Sequence, residues 1–179
     1  LGKLLDMDAV NAFRRNALNP DHPCVRGTVQ NADIHFQQRE VINRYWEALP
    51  GIVDAYMGEI ETLTGREYHP FNYYGAPDAE RMIVAMGSMT QTIEEVVDAL
   101  NVGGEKVGLL TVHLYRPFSL EYFFKYIPET VKVITVLDRV KEINAQSEPL
   151  YMDVKTAYYG RENQPVIVGG RIGIGGKDI

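Results

Sequence analysis

A single cysteine among 179 residues, Cys24, excludes a disulfide framework and any zinc or iron–sulfur cluster whose thiolates come from this chain alone. Positive charge is also scarce: 18 Lys and Arg stand against 24 Asp and Glu, for a formal charge of -6. Such a balance lacks the basic face on which nucleic-acid binding depends. No apolar run approaches the ~20 residues of a membrane-spanning helix, and the first residues carry no signal-peptide pattern. The four histidines, His22, His35, His69 and His113, never stand three or four apart, so no helical pair of histidine ligands is present. These absences point to a cytoplasmic setting, with neither nucleic acid nor membrane as partner.

What is present is enough for a core. The chain is 45% hydrophobic, and a chain this long buries roughly 70% of its unfolded surface. It begins at Leu1 and stops at Ile179, just past the glycine-rich stretch from Gly169 to Gly176. We read it as a piece of a longer polypeptide.

Residues 1–35 show little periodicity. Asn19-Pro20-Asp21-His22-Pro23 is turn chemistry, with two prolines removing backbone donors. The segment 18–36 is expected to be the least self-packed. From about Gln37 an apolar stripe steps by three and four through Ile42, Tyr45, Trp46, Leu49, Ile52, Val53, Tyr56, Met57, Ile60 and Leu63. It predicts one long helix, kinked or split at Pro50-Gly51, closed by Gly65 and burying Trp46. Tyr68 to Gly75 reads as an extended aromatic linker.

Beyond it, strand and helix patterns alternate. Met82 to Met86, Val107 to Leu114, Val131 to Leu137 and Pro165 to Val168 read as strands. The helices between them start near Ser88, Ser119 and Glu148. Ser88 and Gln91 have the spacing of a capping box. Repeated strand–helix–strand units require right-handed crossovers. The expected fold class is therefore α/β: an open, mostly parallel sheet with flanking helices, preceded by a long kinked helix and an irregular N-terminal linker.

Few motifs carry chemistry. The glycine stretch fails the P-loop pattern, since Lys177 is followed by Asp178, and it fails the dinucleotide pattern too. It remains a turn, or a place where a backbone approaches a ligand closely. Gly87-Ser88 joins a strand to a helix N-terminus, which is either an ordinary helix start or an anion contact. Asp138-Arg139-Val140-Lys141-Glu142 follows a strand at the end of the sheet where open parallel sheets place their sites. It reads as a solvated charged turn or a contact loop. Cys24 has no local base, and Ser88 is not in a nucleophile elbow. No catalytic residue and no metal ligand is expected. Gly87, Ser88, Arg139, Arg171 and Lys177 are the contact candidates.

Several segments in order carry a resemblance. They are Leu18-Asn19-Pro20-Asp21-His22-Pro23, Arg26-Gly27-Thr28, Tyr73-Tyr74-Gly75-Ala76-Pro77-Asp78-Ala79-Glu80-Arg81, Ala85-Met86-Gly87-Ser88, Arg116-Pro117-Phe118, Leu137-Asp138-Arg139, Glu148-Pro149-Leu150-Tyr151 and Gly169-Gly170-Arg171. Together they resemble the long, multidomain pyruvate:ferredoxin (flavodoxin) oxidoreductases over essentially the whole chain. The resemblance implies that residues 1–75 are the linker and long helix at the end of the preceding, thiamine-associated domain. Residues 76–179 would be an α/β domain similar to the C-terminal domain of transketolases. It implies a full-length, homodimeric enzyme that decarboxylates pyruvate on thiamine pyrophosphate and magnesium. Electrons would pass through [4Fe–4S] clusters to ferredoxin or flavodoxin, and the acetyl group to coenzyme A. None of those cofactors is expected on this chain, which alone would be inactive and serve assembly with the other domains. Two alternatives stand beside it: a freestanding phosphate- or nucleotide-binding α/β module, and a dimerisation domain of another thiamine enzyme.

Overall fold

The computed structural model of the chain describes residues 2, 4–23, 27 and 29–175. Two short helices come first, α1 (Met7–Arg14) and α2 (Ala32–Glu40), and neither buries a residue. Asp6 starts α1 by accepting the N–H groups of Asp8 and Ala9. The weak periodicity before residue 36 had predicted only a connector, and local capping is what makes α1 a helix there.

The long helix α3 (Asn43–Thr64) is present, with Pro50 inside it and Gly65 in the left-handed conformation at its end. The expectation that it buries Trp46 is not met: Trp46 is 50% exposed. Tyr45, Ile52, Tyr56 and Leu63 are exposed as well, and Pro50 is the one buried residue of the helix. Periodicity marks a stripe but cannot name what covers it, and among the described residues nothing covers these side chains.

Past α3 the chain forms β1 (Phe71–Gly75), β2 (Arg81–Met86), α4 (Met89–Val102), β3 (Val107–Val112), α5 (Leu120–Lys125), β4 (Val133–Asp138), α6 (Pro149–Tyr158) and β5 (Val166–Arg171). The five strands make one sheet in the order β1-β3-β2-β4-β5. All neighbours run parallel except β1, which pairs antiparallel with β3. The segment read as an aromatic linker is thus an edge strand. Phe71 is buried opposite Val112, and Gly75 pairs with Gly108. Gly75 has a φ of 114°, and a Cβ there would lie 2.6 Å from the carbonyl oxygen of Val107. The last strand runs on through Gly169, Gly170 and Arg171, so the start of the glycine stretch is strand rather than turn.

Helices pack on both faces of the sheet. On one, α5 and α6 close a core of Phe71, Met82, Val84, Leu110, Phe123, Ile134, Val136, Leu150 and Val154. Phe123 is at its centre, edge-on to Phe71, Phe124 and Tyr158. On the other, α4 packs Met89, Ile93 and Val97 against Ala85, Val107 and Leu109. Right-handed crossovers account for the arrangement: β2 to β3 steps one way and carries α4 on one face, while β3 to β4 and β4 to β5 step the other way and carry α5 and α6 on the opposite face.

Candidate functional site

Because β3 and β4 flank β2, the strand order reverses between β2 and β4. In an open parallel sheet the crevice beyond the C-terminal ends at such a point is the usual ligand site. Gly87 and Ser88 leave β2 here, and Asp138 and Arg139 leave β4. Gly87 has a φ of 81°, a conformation that suits glycine. That turn delivers Ser88 already in helical geometry, without a side-chain cap bond. The expected Ser88–Gln91 capping box therefore does not form. Thr90 takes over, its backbone N–H and its hydroxyl both donating to the Gly87 carbonyl oxygen, at 3.2 and 2.9 Å.

Arg139 crosses the crevice. Its Nε donates to the carbonyl oxygen of Gly173 at 3.1 Å, and its Nη1 lies 3.4 Å from Ser88 Oγ. Three of the predicted contact candidates, Gly87, Ser88 and Arg139, thus meet at one point. The first N–H groups of α4 and a guanidinium share that end of the sheet, an arrangement that suits a carboxylate or phosphate. Part of the guanidinium is committed to the loop after β5, so the group also ties three strand ends together.

Asp138 does different work. It is buried, and its carboxylate accepts the backbone N–H groups of Leu150 at 3.0 Å and Tyr151 at 3.1 Å. It therefore anchors the start of α6 to the end of β4. Burial pushes its carboxyl above the usual range, against those two hydrogen bonds. Nearby, the buried Glu148 receives Arg171 Nε at 2.5 Å. The Arg171 hydrogen bond holds the Glu148 carboxyl below its usual range. Arg171 is thus turned to the α6 side rather than to the crevice. A cleft of about 540 Å³ lies beside this pair, lined by Ser147, Tyr151, Lys155, Gly169 and Gly170. Lys177 lies outside the described residues, as does Cys24. Sequence reasoning missed the roles of Asp138 and Glu148. Pro149, a residue favoured at the first helical position, was the available signal that Glu148 stands at a helix start.

Residues 79–179 match the family described as pyruvate:ferredoxin oxidoreductase core domain II. The whole chain is 65% identical to a pyruvate-flavodoxin oxidoreductase of Enterobacter agglomerans, covering 15% of that protein. It is 54% identical over its full length to a pyruvate:ferredoxin oxidoreductase of Moorella thermoacetica, again 15% of the relative. A solved 2-oxoglutarate:ferredoxin oxidoreductase from Magnetococcus marinus is similar at a TM-score of 0.46 and 17% identity, over 82% of this chain and 22% of that one. The chain therefore spans 15% of the length of these curated relatives.

Proposed function

We propose, from the premise that the chain belongs to the pyruvate:ferredoxin oxidoreductase family, that it acts as an assembly domain of an enzyme that oxidatively decarboxylates pyruvate to acetyl-CoA. Its partners are the other domains of the same polypeptide. Pyruvate, coenzyme A and ferredoxin or flavodoxin are the reactants of the whole homodimeric, cytoplasmic enzyme. The α/β domain is made of residues 76–179 together with the edge strand β1 (Phe71–Gly75), and the residues before β1 bring the end of the preceding domain with α3. Among the described residues no helix is long and apolar enough to cross a membrane.

The observation that carries this reading is the bare side of α3. A 22-residue helix exposes Tyr45, Trp46, Ile52, Tyr56 and Leu63 beside a core that is closed without them. Contiguous exposed apolar surface of this kind marks an interaction site. The side chains present do not fit the redox cofactors. A [4Fe–4S] cluster takes four cysteine thiolates, and the chain has one cysteine. Among the described residues no three His, Cys, Asp or Glu side chains converge on a metal position. Thiamine pyrophosphate, magnesium and the clusters would be held by other domains.

The crevice at Ser88 and Arg139 supports a second reading, a phosphate-binding module that works alone. Calorimetric titration of the 179-residue chain with coenzyme A, thiamine pyrophosphate and pyruvate separates the two. The assembly reading expects no binding heat from any of them. Saturable binding of coenzyme A or thiamine pyrophosphate would favour the module.

A further inference from the structure

The two faces of the sheet are unequally covered. Opposite α5 and α6, α4 packs on β3, β1 and β2. The substantial packing on β4 and β5 comes from α6, on the other face. Side chains alternate along a strand, and Ile134, Val136 and Ile167 point into the α6 core. Val133, Thr135, Val166 and Val168 therefore point to the α4 side. Register sets Ile83, Thr135 and Val168 in one row across β2, β4 and β5, and Val133 beside Val166 in the next. Val166 is 63% exposed and Val168 43%. Valines at this exposure on a parallel sheet are out of place, because such sheets are covered on both faces.

The bare area is a groove with a wall. Asp98 of α4 bonds the hydroxyl of Tyr74 on β1, which fixes one flank of the helix toward that edge. Helical geometry then turns Val96 and Leu100 to the opposite flank, above β4, and they are 48% and 39% exposed. The chain leaving β5 heads into the same space. Ile172 donates its N–H to the Asp138 carbonyl oxygen and packs against the α4-side cluster with Leu137. Gly173, buried, has a φ of 64° and is held by Arg139.

We propose that this groove is filled by an amphipathic helix from the stretch of parent polypeptide directly following this chain. It would run back along β4 and β5 beside α4. The relatives are long enough to supply it, since this chain covers 15% of them. Six-residue strands span about 20 Å, so about 13 helical residues cross them, with apolar side chains at every third and fourth position on the buried side. This rests on family membership and on the bare face, not on the crevice or on the assembly reading.

The test uses the complete polypeptide with Val168 replaced by the photoreactive p-benzoylphenylalanine, and a second version with Val96 replaced. After irradiation, mass spectrometry maps the cross-links. The proposal expects both to reach residues within about 30 positions after Ile179, at one helical face. Cross-links from both positions to a distant domain or to a second subunit overturn it, and so does finding none. Carbene footprinting of the unsubstituted polypeptide gives a check that needs no variant. Labelling at Val166 and Val168 should fall at least fivefold when this chain is lengthened by the next 30 residues, while Val102 stays unchanged. Equal labelling overturns the proposal.

Discussion

Arg171, at the end of β5, reaches Glu148 at the start of α6, with Nε 2.5 Å from Oε1 and Glu148 itself buried. The pair fastens the last strand to the helix that crosses before it. A carboxyl held low in the folded state contributes stability above the usual carboxylate range, and that contribution is lost as pH falls through the depressed value. Glu148→Gln should therefore lower the urea midpoint at pH 7. The gap to the unsubstituted protein should close on acidification below roughly pH 4. Asp138 runs the other way: its raised carboxyl favours the folded state when protonated, so ionisation costs stability as pH rises. Because Glu148 helps to raise Asp138, Glu148→Gln should also bring the Asp138 titration down, visible by carboxyl NMR.

Phe123 and Trp46 make a paired test of what the fold buries. Phe123 is 0% exposed amid four aromatic rings. Phe123→Ala should cost about 3–5 kcal/mol in a urea melt. Trp46→Ala, on the bare side of α3, should cost about 1 kcal/mol or less in the same chain. Equal losses would place the α3 stripe in the core.

Gly75 sits where the antiparallel edge meets β3. A side chain there faces both a φ of 114° and the Val107 carbonyl. Gly75→Ala should destabilise the chain by about 1–3 kcal/mol. Hydrogen exchange should quicken at the β1–β3 amides first.

Arg139 closes the crevice through a hydrogen bond to Gly173 and a longer approach to Ser88. Arg139→Ala should cost about 0.5–1.5 kcal/mol and speed exchange of the Ile172 amide, whose acceptor is Asp138. An unchanged Ile172 rate would show that the loop after β5 is held by other contacts.

The parallel strands and their helices were legible because β-branched runs and helical periodicity alternate plainly from Met82 onward. β1 was not, since Phe71-Asn72-Tyr73-Tyr74-Gly75 owes its strand geometry to pairing with β3, far along the chain, Phe71 opposite Val112 and Gly75 opposite Gly108. Ser88 and Gln91 had capping-box spacing, but the left-handed turn at Gly87 put Ser88 inside the helix geometry and left the box unformed. The charged loop at Arg139 was flagged by its place after a strand. That it holds Gly173 depends on two strand ends 34 residues apart meeting, which no local pattern encodes. The stripe of α3 was legible as a stripe. Among the described residues nothing covers it.

The most direct test of the assembly reading is pyruvate-dependent reduction of an electron acceptor by the complete polypeptide carrying Tyr45→Glu and Trp46→Glu, beside urea melts of the 179-residue chain with the same changes. Both side chains are exposed here, at 59% and 50%, so the melt should shift by about 1 kcal/mol or less. If α3 docks on the rest of the enzyme, two buried charges there should lower activity at least tenfold and disturb the assembled state in gel filtration. Full activity with native assembly would contradict the account.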